Sequence, residues 1–149
     1  MAPIALDTDV ASLIIKGRLP STLASKLIGT QAGITFVTLG ELTKWSVMRE
    51  WGMRRRDALD AWVAGRPVLA CTDEVARRWG ELAAYSTKRG RPRPVNDTWI
   101  AACCLRYGLP RATMNVRDFE DFARHDGLVR GDGVGVDLHR LRHDAQICR

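Results

Sequence analysis

The sequence has no Cys-x-x-Cys pair and no cysteine–histidine cluster with the spacing of a zinc site. We therefore expect neither structural zinc nor a thiol redox pair from its four cysteines, Cys71, Cys103, Cys104 and Cys148. No apolar run approaches the roughly 18 residues of a membrane span. The amino terminus also lacks the basic and apolar segments of a signal peptide. These absences favour a reduced, cytoplasmic compartment and no membrane partner.

The length and composition indicate one small basic domain. A chain of 149 residues, 46% of them hydrophobic, can bury a core without disulfides or structural metal. We expect a single domain over residues 1–149, with a core at about 3–126 and a glycine-rich, basic tail at 127–149. The net charge of +6 and the isoelectric point of about 9.6 favour a polyanionic partner, most simply nucleic acid.

Short apolar runs, several of them β-branched, alternate with helical patterns along the chain. The predicted strands cover residues 3–7, 33–37, 67–71, 110–114 and, in the tail, 134–138. Strands that alternate with helices are typical of an α/β fold with a mostly parallel central sheet.

Two predicted helix starts matter for function. Thr38 is the predicted N-cap of a helix that begins at Leu39. The segment 88–95 contains two prolines and a glycine and cannot continue a helix, so we predict a loop there. The next helix is predicted to start at Asn96–Asp97, directly after this loop.

Four acidic residues stand where an apolar run gives way to a polar turn or a new helix. They are Asp7, Glu41, Asp97 and Asp118. Because the carboxyl ends of parallel strands gather at one edge of a sheet, we expect these carboxylates to converge. The negative charges of four adjacent carboxylates repel each other strongly unless a hard cation lies between them. Mg²⁺ or Mn²⁺ is the natural occupant of an all-oxygen site.

Each of these acids also has a simpler structural explanation. Asp7 and Asp97 lie at helix starts, where Asp is a preferred N-cap. Glu41 can pair with Lys44 three residues on, and Asp118 can cap the helix that follows it. The simpler explanations weaken when the four are joined, because helix capping does not require an acid from four separate elements. Short polar neighbours suit hydrogen bonds that hold carboxylates in place; they are Thr8, Asn96, Thr98 and Asn115.

An all-carboxylate metal site suits the hydrolysis of phosphodiesters. A divalent cation makes a bound water nucleophilic and neutralises the negative charge that develops on the phosphate. Mg²⁺ keeps several waters and is normally held by few direct carboxylates, so two of the acids can bind directly while the others act through water. No His, Lys or Ser nucleophile is required. The acids and the basic net charge together favour a metal-dependent phosphodiesterase.

The segments that carry the acids resemble the PIN-domain ribonucleases, and within them the VapC toxins of bacterial toxin–antitoxin pairs. The matching segments are ALDTDV at 5–10, VTLGEL at 37–42, GRPRPVNDTWIAA at 90–102 and TMNVRDF at 113–119. Their order is more distinctive than any single segment, and the resemblance covers about residues 3–122. It implies a PIN-like fold, in which a compact sheet has helices on both faces and an acidic pocket. The tail after Phe122 departs from the pattern.

By motif position, the resemblance implies that the same four acids bind the metal and carry catalysis, with Asp9 as an auxiliary acid. Asp121 competes with Asp118 for the fourth place, but the Asn-x-x-Asp-Phe pattern favours Asp118. The family implies dependence on Mg²⁺, with Mn²⁺ as a substitute, and endonucleolytic cleavage of RNA. It further implies a homodimer and inhibition by a cognate VapB-type antitoxin.

A basic cluster lies just before Asp97 and can guide a phosphate backbone towards the metal. The candidates for RNA binding are Lys88, Arg89, Arg91 and Arg93. A solvated loop without such a role is the alternative.

Three tryptophans, Trp45, Trp51 and Trp62, follow Glu41 at helical spacing, for which core packing is the default explanation. The alternative is a hydrophobic groove at residues 45–62 that receives an antitoxin helix.

Two other classes of function compete with the ribonuclease. Asp7-Thr8-Asp9 matches the Asp-x-Asp core of the haloacid dehalogenase phosphatases, in which an aspartate becomes phosphorylated. Ala11, however, stands where that pattern requires Thr or Val, and Glu41 has no role in it. The second alternative is a catalytically silent PIN-like module that binds RNA or protein, and the presence of all four acids argues against it.

Overall fold

A computed structural model describes residues 1–127 of the chain. In chain order its elements are β1 (Ala2–Leu6), α1 (Thr8–Ile15), α2 (Ser21–Leu27), β2 (Thr30–Thr35), α3 (Phe36–Met48), α4 (Met53–Ala64), β3 (Val68–Leu69), α5 (Asp73–Lys88), α6 (Val95–Arg106), β4 (Arg111–Ala112) and α7 (Val116–Asp126). The strands form one sheet in the order β3-β2-β1-β4, and each neighbouring pair is parallel. The predicted α/β fold with a parallel sheet is confirmed.

The central strand β1 separates two hydrophobic cores. Ile4 and Leu6 point into a core shared with α1, α3 and α4, whereas Ala5 belongs to a second core with α5, α6 and Phe122 of α7. Successive side chains of a strand point to opposite faces, so this alternation places helices on both faces of the sheet. The layers implied by the family resemblance are present.

Cys103 and Cys104 are fully buried in α6, within the second core. Burial raises the pKa of both thiols to about 12, so neither is a thiolate near neutral pH. They act as small apolar side chains.

The start of α3 differs from its prediction. The helix begins at Phe36, not at Leu39, and its N-cap is Thr35, not Thr38. The hydroxyl of Thr35 accepts the N–H of Thr38 at 3.3 Å, and this bond needs Thr35 in an extended conformation at the end of β2. The strand therefore ends two residues earlier than predicted, and Thr38 is free to turn its own hydroxyl into the site described below.

The loop before α6 is present, but the helix starts at Val95 and its N-cap is Pro94. Asp97 is therefore the third residue of the helix and lies in its first turn rather than at its cap. The helix ends before Gly108, which has φ +62°, as a glycine after a helix commonly does. The capping explanation for Asp97 is thus wrong.

The two outer strands are shorter than predicted, since β3 and β4 contain two residues each. Register with the neighbouring strand defines both: Ala5 pairs with Arg111, and Ile34 pairs with Val68.

The predicted strand at 134–138 and the rest of the tail lie outside the described residues. Within residues 1–127, no helix combines the length and apolar character that crossing a membrane requires.

Candidate active site

The strands β1, β2 and β4 end at one edge of the sheet, and the predicted acids lie around that edge. Asp7 follows β1 directly, and Glu41 lies in α3, which follows β2. Asp97 lies in the first turn of α6, and Asp118 in the first turn of α7 after β4. The carboxyl edge of an open parallel sheet is where sites form in α/β proteins.

Asp7 is the most firmly held of these acids, with only 5% of its surface exposed. One carboxylate oxygen, Oδ1, accepts the N–H of Thr8 at 3.0 Å. The other, Oδ2, accepts the hydroxyl of Thr113 and the Nη2 group of Arg111, each at 2.7 Å. Asp7 is also the N-cap of α1, so the capping explanation is correct for this residue and coexists with its place in the site.

Thr8 joins Asp7 to Glu41. Its hydroxyl donates to Glu41 Oε1 at 3.2 Å and lies 2.8 Å from the hydroxyl of Thr38. Partial burial raises the pKa of Glu41, and the negative charges of Asp7 and Asp97 add to this effect against the Thr8 hydrogen bond, which lowers it. Glu41 therefore lies within electrostatic reach of two other acids.

Asp97 is the more open acid of the centre, with 28% of its side chain exposed. Its Oδ1 lies 3.6 Å from the same Nη2 atom of Arg111 that binds Asp7. Burial raises the pKa of Asp97; the charge of Arg111 opposes the shift, and the charges of Asp7 and Asp118 add to it.

Asp118 is held at the rim by Asn115, whose side-chain amide donates to its Oδ2 at 2.6 Å. Asn115, not Asp118, is the N-cap of α7, since its side-chain oxygen accepts the N–H of Asp118 at 3.4 Å. The competing acid Asp121 is occupied elsewhere, because it pairs with Arg93 and His125. The structure thus brings Asp118, rather than Asp121, into electrostatic contact with the other acids.

Of the auxiliary residues, Thr8 and Asn115 contact acids of the site directly, as described. Asp9 connects α1 to the segment after β4, because its carboxylate accepts the N–H groups of Val10 at 2.7 Å and Met114 at 3.1 Å. Burial and the charge of Asp7 raise the pKa of Asp9. Asn96 is exposed and makes no hydrogen bond to the four acids within the described part of the chain.

Sequence reasoning missed Arg111, which is the single cation in direct contact with the acids among residues 1–127. It lies in β4 with 1% of its side chain exposed. Two of its nitrogens, Nε and Nη1, are buried without a hydrogen-bond partner. The available signal was a charged residue within an apolar strand segment, LPRAT at 109–113, where a buried strand normally has an apolar side chain.

The donor set suits a hard cation. Among residues 1–127, no three Asp, Glu, His or Cys side chains are placed closely enough together to hold one metal ion. The carboxylates are nevertheless the only charged oxygen donors at this edge of the described sheet, and Mg²⁺ needs just one or two of them, with waters completing its octahedron. The residues therefore fit a partly hydrated Mg²⁺ or Mn²⁺ rather than a closed cage of the zinc type.

The predicted basic cluster divides into two parts. Lys88 at the end of α5 is exposed, as are Arg89 and Arg91 in the loop between α5 and α6. Arg93, in contrast, has 6% of its side chain exposed, and it pairs with Asp121 at 2.5 Å and Asp126 at 2.7 Å. The guanidinium of Arg93 donates to Asp121 and Asp126, so the predicted contact with RNA has less support for Arg93 than for the three exposed residues.

A groove of about 280 Å³ lies between the loop before α6 and the start of α7, and Asp118 is the one acid of the four that lines it. Arg91 lies along it, together with Arg117 and Asp118 of α7. Arg117 is an exposed cation that sequence reasoning did not single out.

Comparison with known proteins identifies the family. Residues 4–125 match the PIN domain family. The chain belongs to that family. The ribonuclease VapC5 of Mycobacterium tuberculosis is 33% identical over 134 residues, which cover 88% of this chain and 93% of that protein. The chain is thus a PIN-domain protein of the VapC type.

Two solved structures show the same fold. The structure of VapBC-1 from nontypeable Haemophilus influenzae superimposes with a TM-score of 0.75 at 24% identity, covering 86% of this chain and 96% of that one. A member of the VapBC toxin–antitoxin family from Mycobacterium tuberculosis, VapBC-5, superimposes with a TM-score of 0.56 at 28% identity. It covers 87% of this chain and 99% of that one.

Proposed function

We propose that the chain is a metal-dependent endoribonuclease and the toxin of a type II toxin–antitoxin pair, acting on RNA in the cytoplasm. The observation that carries this proposal is the electrostatic contact among Asp7, Glu41, Asp97 and Asp118 at the carboxyl edge of the sheet. Burial and neighbouring negative charge raise the pKa of Glu41 and of Asp97, so the charged forms of these two acids are costly to the fold, which supports a site that gains from a cation. The 33% identity to a ribonuclease supports RNA as the substrate.

The residues that would hold the ion are the four acids, with Asp7 and Asp97 as the pair already brought together. When bound, Mg²⁺ or Mn²⁺ supplies a nucleophilic water and a positive charge next to the phosphate. Thr113, Thr8 and Asn115 orient the carboxylates of Asp7, Glu41 and Asp118 through the hydrogen bonds given above. Such bonds fix the direction of each ligand before the ion arrives.

Substrate RNA would approach along the groove that ends at Asp118. Arg91 and Arg117 line this groove and supply exposed positive charge, and the exposed Lys88 and Arg89 precede Arg91 in the chain. Cations of this kind attract the phosphate backbone irrespective of its sequence.

The proposed protein partner is a VapB-type antitoxin, together with a second copy of this chain as a homodimer. The helices α3 and α4 supply a fitting surface, since Val47, Met48 and Met53 are exposed by 58%, 69% and 79%. Trp51 packs into the core, as expected, whereas Trp45 and Trp62 are only partly buried at its edge. An apolar strip beside partly buried aromatic rings suits the apolar face of a partner helix.

The test is cleavage of total cellular RNA by the purified chain in Mg²⁺, in Mn²⁺ and in EDTA, with Asp97→Asn alongside. We expect discrete fragments that require metal and disappear in the variant. Asp57→Asn is the matched control, because Asp57 is exposed on α4. This variant should cleave RNA as the wild type does.

Cleavage by Asp97→Asn at the wild-type rate would contradict the assignment of the site. If the wild type forms no fragments and a mass measurement shows that it carries no antitoxin, the catalytically silent RNA- or protein-binding module is the better explanation.

A further inference from the structure

Arg111 occupies a position between two of the proposed metal ligands. Its Nη2 donates to Asp7 Oδ2 at 2.7 Å and lies 3.6 Å from Asp97 Oδ1. The residue is in β4, whose pairing with β1 places Arg111 opposite Ala5, and 1% of its side chain is exposed. A positive charge is thus built into the sheet edge where the divalent cation would bind.

The surroundings of Arg111 do not match the hydrogen-bonding capacity of its guanidinium. Nε and Nη1 are buried and have no hydrogen-bond partner among residues 1–127, so Nη2 alone makes the contacts of the guanidinium with the acids there. Buried N–H groups without partners destabilise a fold, and an apolar residue would avoid that cost. The positive charge of Arg111 offsets this destabilisation, because Arg111 faces a cluster of carboxylates that repel each other.

The same charge has a consequence for metal binding. A divalent cation that reaches Asp7 and Asp97 meets a fixed positive charge next to both carboxylates. Like charges at such short range in a partly buried site repel strongly, since water screens them poorly. The arginine and the metal ion are therefore competitors for the same negative charge.

We propose that Arg111 is the resident counter-ion of the acidic site: it positions Asp7 when no metal is bound, and it weakens the binding of the divalent cation. This rests on the proposed function, because it takes Asp7 and Asp97 as metal ligands. Arg111 acts through Asp7 and is a positioning residue. It lets the metal-free chain stay folded at the cost of a lower affinity for the ion.

The test measures binding of Mn²⁺ alone, without RNA, by titration calorimetry on the full chain. The variants are Arg111→Met, which removes the charge, and Arg111→Lys, which keeps it. Arg93→Met is the matched control, because Arg93 is a second buried, ion-paired arginine whose partners, Asp121 and Asp126, are not among the four acids. We expect Arg111→Met to bind Mn²⁺ roughly ten-fold or more tightly than the wild type, although its unfolding midpoint in EDTA falls.

Arg111→Lys is expected to bind Mn²⁺ within about three-fold of the wild type, since the charge remains. Arg93→Met is expected to lose stability in EDTA with no change in affinity for Mn²⁺. A merely structural role for Arg111 would instead lower stability and leave the affinity unchanged or weaker. If Arg111→Met is unfolded in EDTA, Mn²⁺ should restore the wild-type circular dichroism spectrum.

Three results would overturn the inference: an affinity of Arg111→Met no tighter than that of the wild type, an equally tight Arg111→Lys, or an unfolded Arg111→Met that Mn²⁺ does not rescue. The proposed function survives all three so long as the wild type binds Mn²⁺. If neither the wild type nor Arg111→Met binds Mn²⁺, the proposed metal site fails as well.

Discussion

Arg93 and Arg111 are both buried arginines with carboxylate partners, but their guanidinium groups are satisfied to very different degrees. All three nitrogens of Arg93 donate, to the carboxylates of Asp121 and Asp126 and to the backbone oxygen of Asp121. Its guanidinium also lies 3.9 Å from the centre of the Phe122 ring. Arg111 uses Nη2 alone, and its other two nitrogens have no partner in the described part of the chain.

This difference in hydrogen bonding distinguishes a structural ion pair, at Arg93, from the candidate active site, at Arg111. Between the loop before α6 and α7, one arginine faces two acids, and each of its three nitrogens donates a hydrogen bond. At the sheet edge, one arginine faces Asp7 and Asp97 with Glu41 and Asp118 close behind, so negative charge is left over while donors stay empty. Buried polar groups that remain partly unsatisfied mark places where the fold serves something other than its own stability.

The largest effect is expected from Asp7→Asn, which should abolish RNA cleavage and also destabilise the protein by about 3 kcal/mol, because Arg111 would remain buried without its closest counter-charge. Urea unfolding in EDTA measures the second effect, with the exposed Asp57→Asn as the control. An unchanged midpoint for Asp7→Asn would show that Arg111 does not depend on Asp7.

Arg93→Met is expected to lower the free energy of unfolding by about 3 kcal/mol, since it leaves the buried carboxylate of Asp126 unpaired. The exposed neighbour Arg89→Met should change stability by no more than about 0.5 kcal/mol. Urea unfolding of both variants distinguishes the buried pair from general loss of charge. Equal unfolding midpoints for Arg93→Met and Arg89→Met would show that the buried ion pair of Arg93 adds no stability beyond that of an exposed arginine.

Asp97→Asn should abolish cleavage as Asp7→Asn does, but without its loss of stability. Asp97 is partly exposed, it is not the closest partner of Arg111, and burial raises its pKa, so its charge costs the metal-free fold. We expect its unfolding free energy in EDTA to stay equal or rise, by at most about 1 kcal/mol. A loss as large as that of Asp7→Asn would mean that Arg111 depends on both acids alike.

The smallest expected effect is on the pH dependence of stability in EDTA. Because the pKa of Glu41 is raised in the folded protein, the fold binds the proton more readily, and stability rises as the pH falls from neutral through that pKa. Asp121 has the opposite sign: burial acts to raise its pKa, but the hydrogen bond and charge of Arg93 lower it overall. Its contribution is lost as the pH falls below about 4.

Unfolding midpoints measured across this pH range should therefore show a rise and then a fall. Glu41→Gln is expected to flatten the rise and Asp121→Asn to flatten the fall. A Glu41→Gln profile parallel to that of the wild type would contradict the shift at the acidic site.

Much of the fold and the positions of the four acids were accessible from the sequence. Asp7 and Asp118 can be recognised from the local sequence, because each follows a strand-like run and lies at or near the start of a helix. The exact helix starts were less accessible, since Thr35 and Thr38 are equally good N-caps and only the end of β2 chooses between them.

The surroundings of the two arginines were not predicted from the sequence, for one reason. Arg93 belongs to a basic loop, which predicts exposure, but α7 folds over it and supplies acids 28 and 33 residues further along the chain. Arg111 contacts an acid 104 residues earlier in the chain. No local pattern reports such a contact.

By itself, the sequence determined the alternation of strands and helices, the basic net charge and four acids near the ends of apolar runs, because periodicity and capping act over a few residues. Only the tertiary structure decided which cations are buried and what they face. The pairing of β4 with β1 places Arg111 next to Asp7, and the packing of α7 against the loop before α6 buries Arg93. Burial and ion pairing depend on distance in space, and that distance is defined only once the sheet has formed.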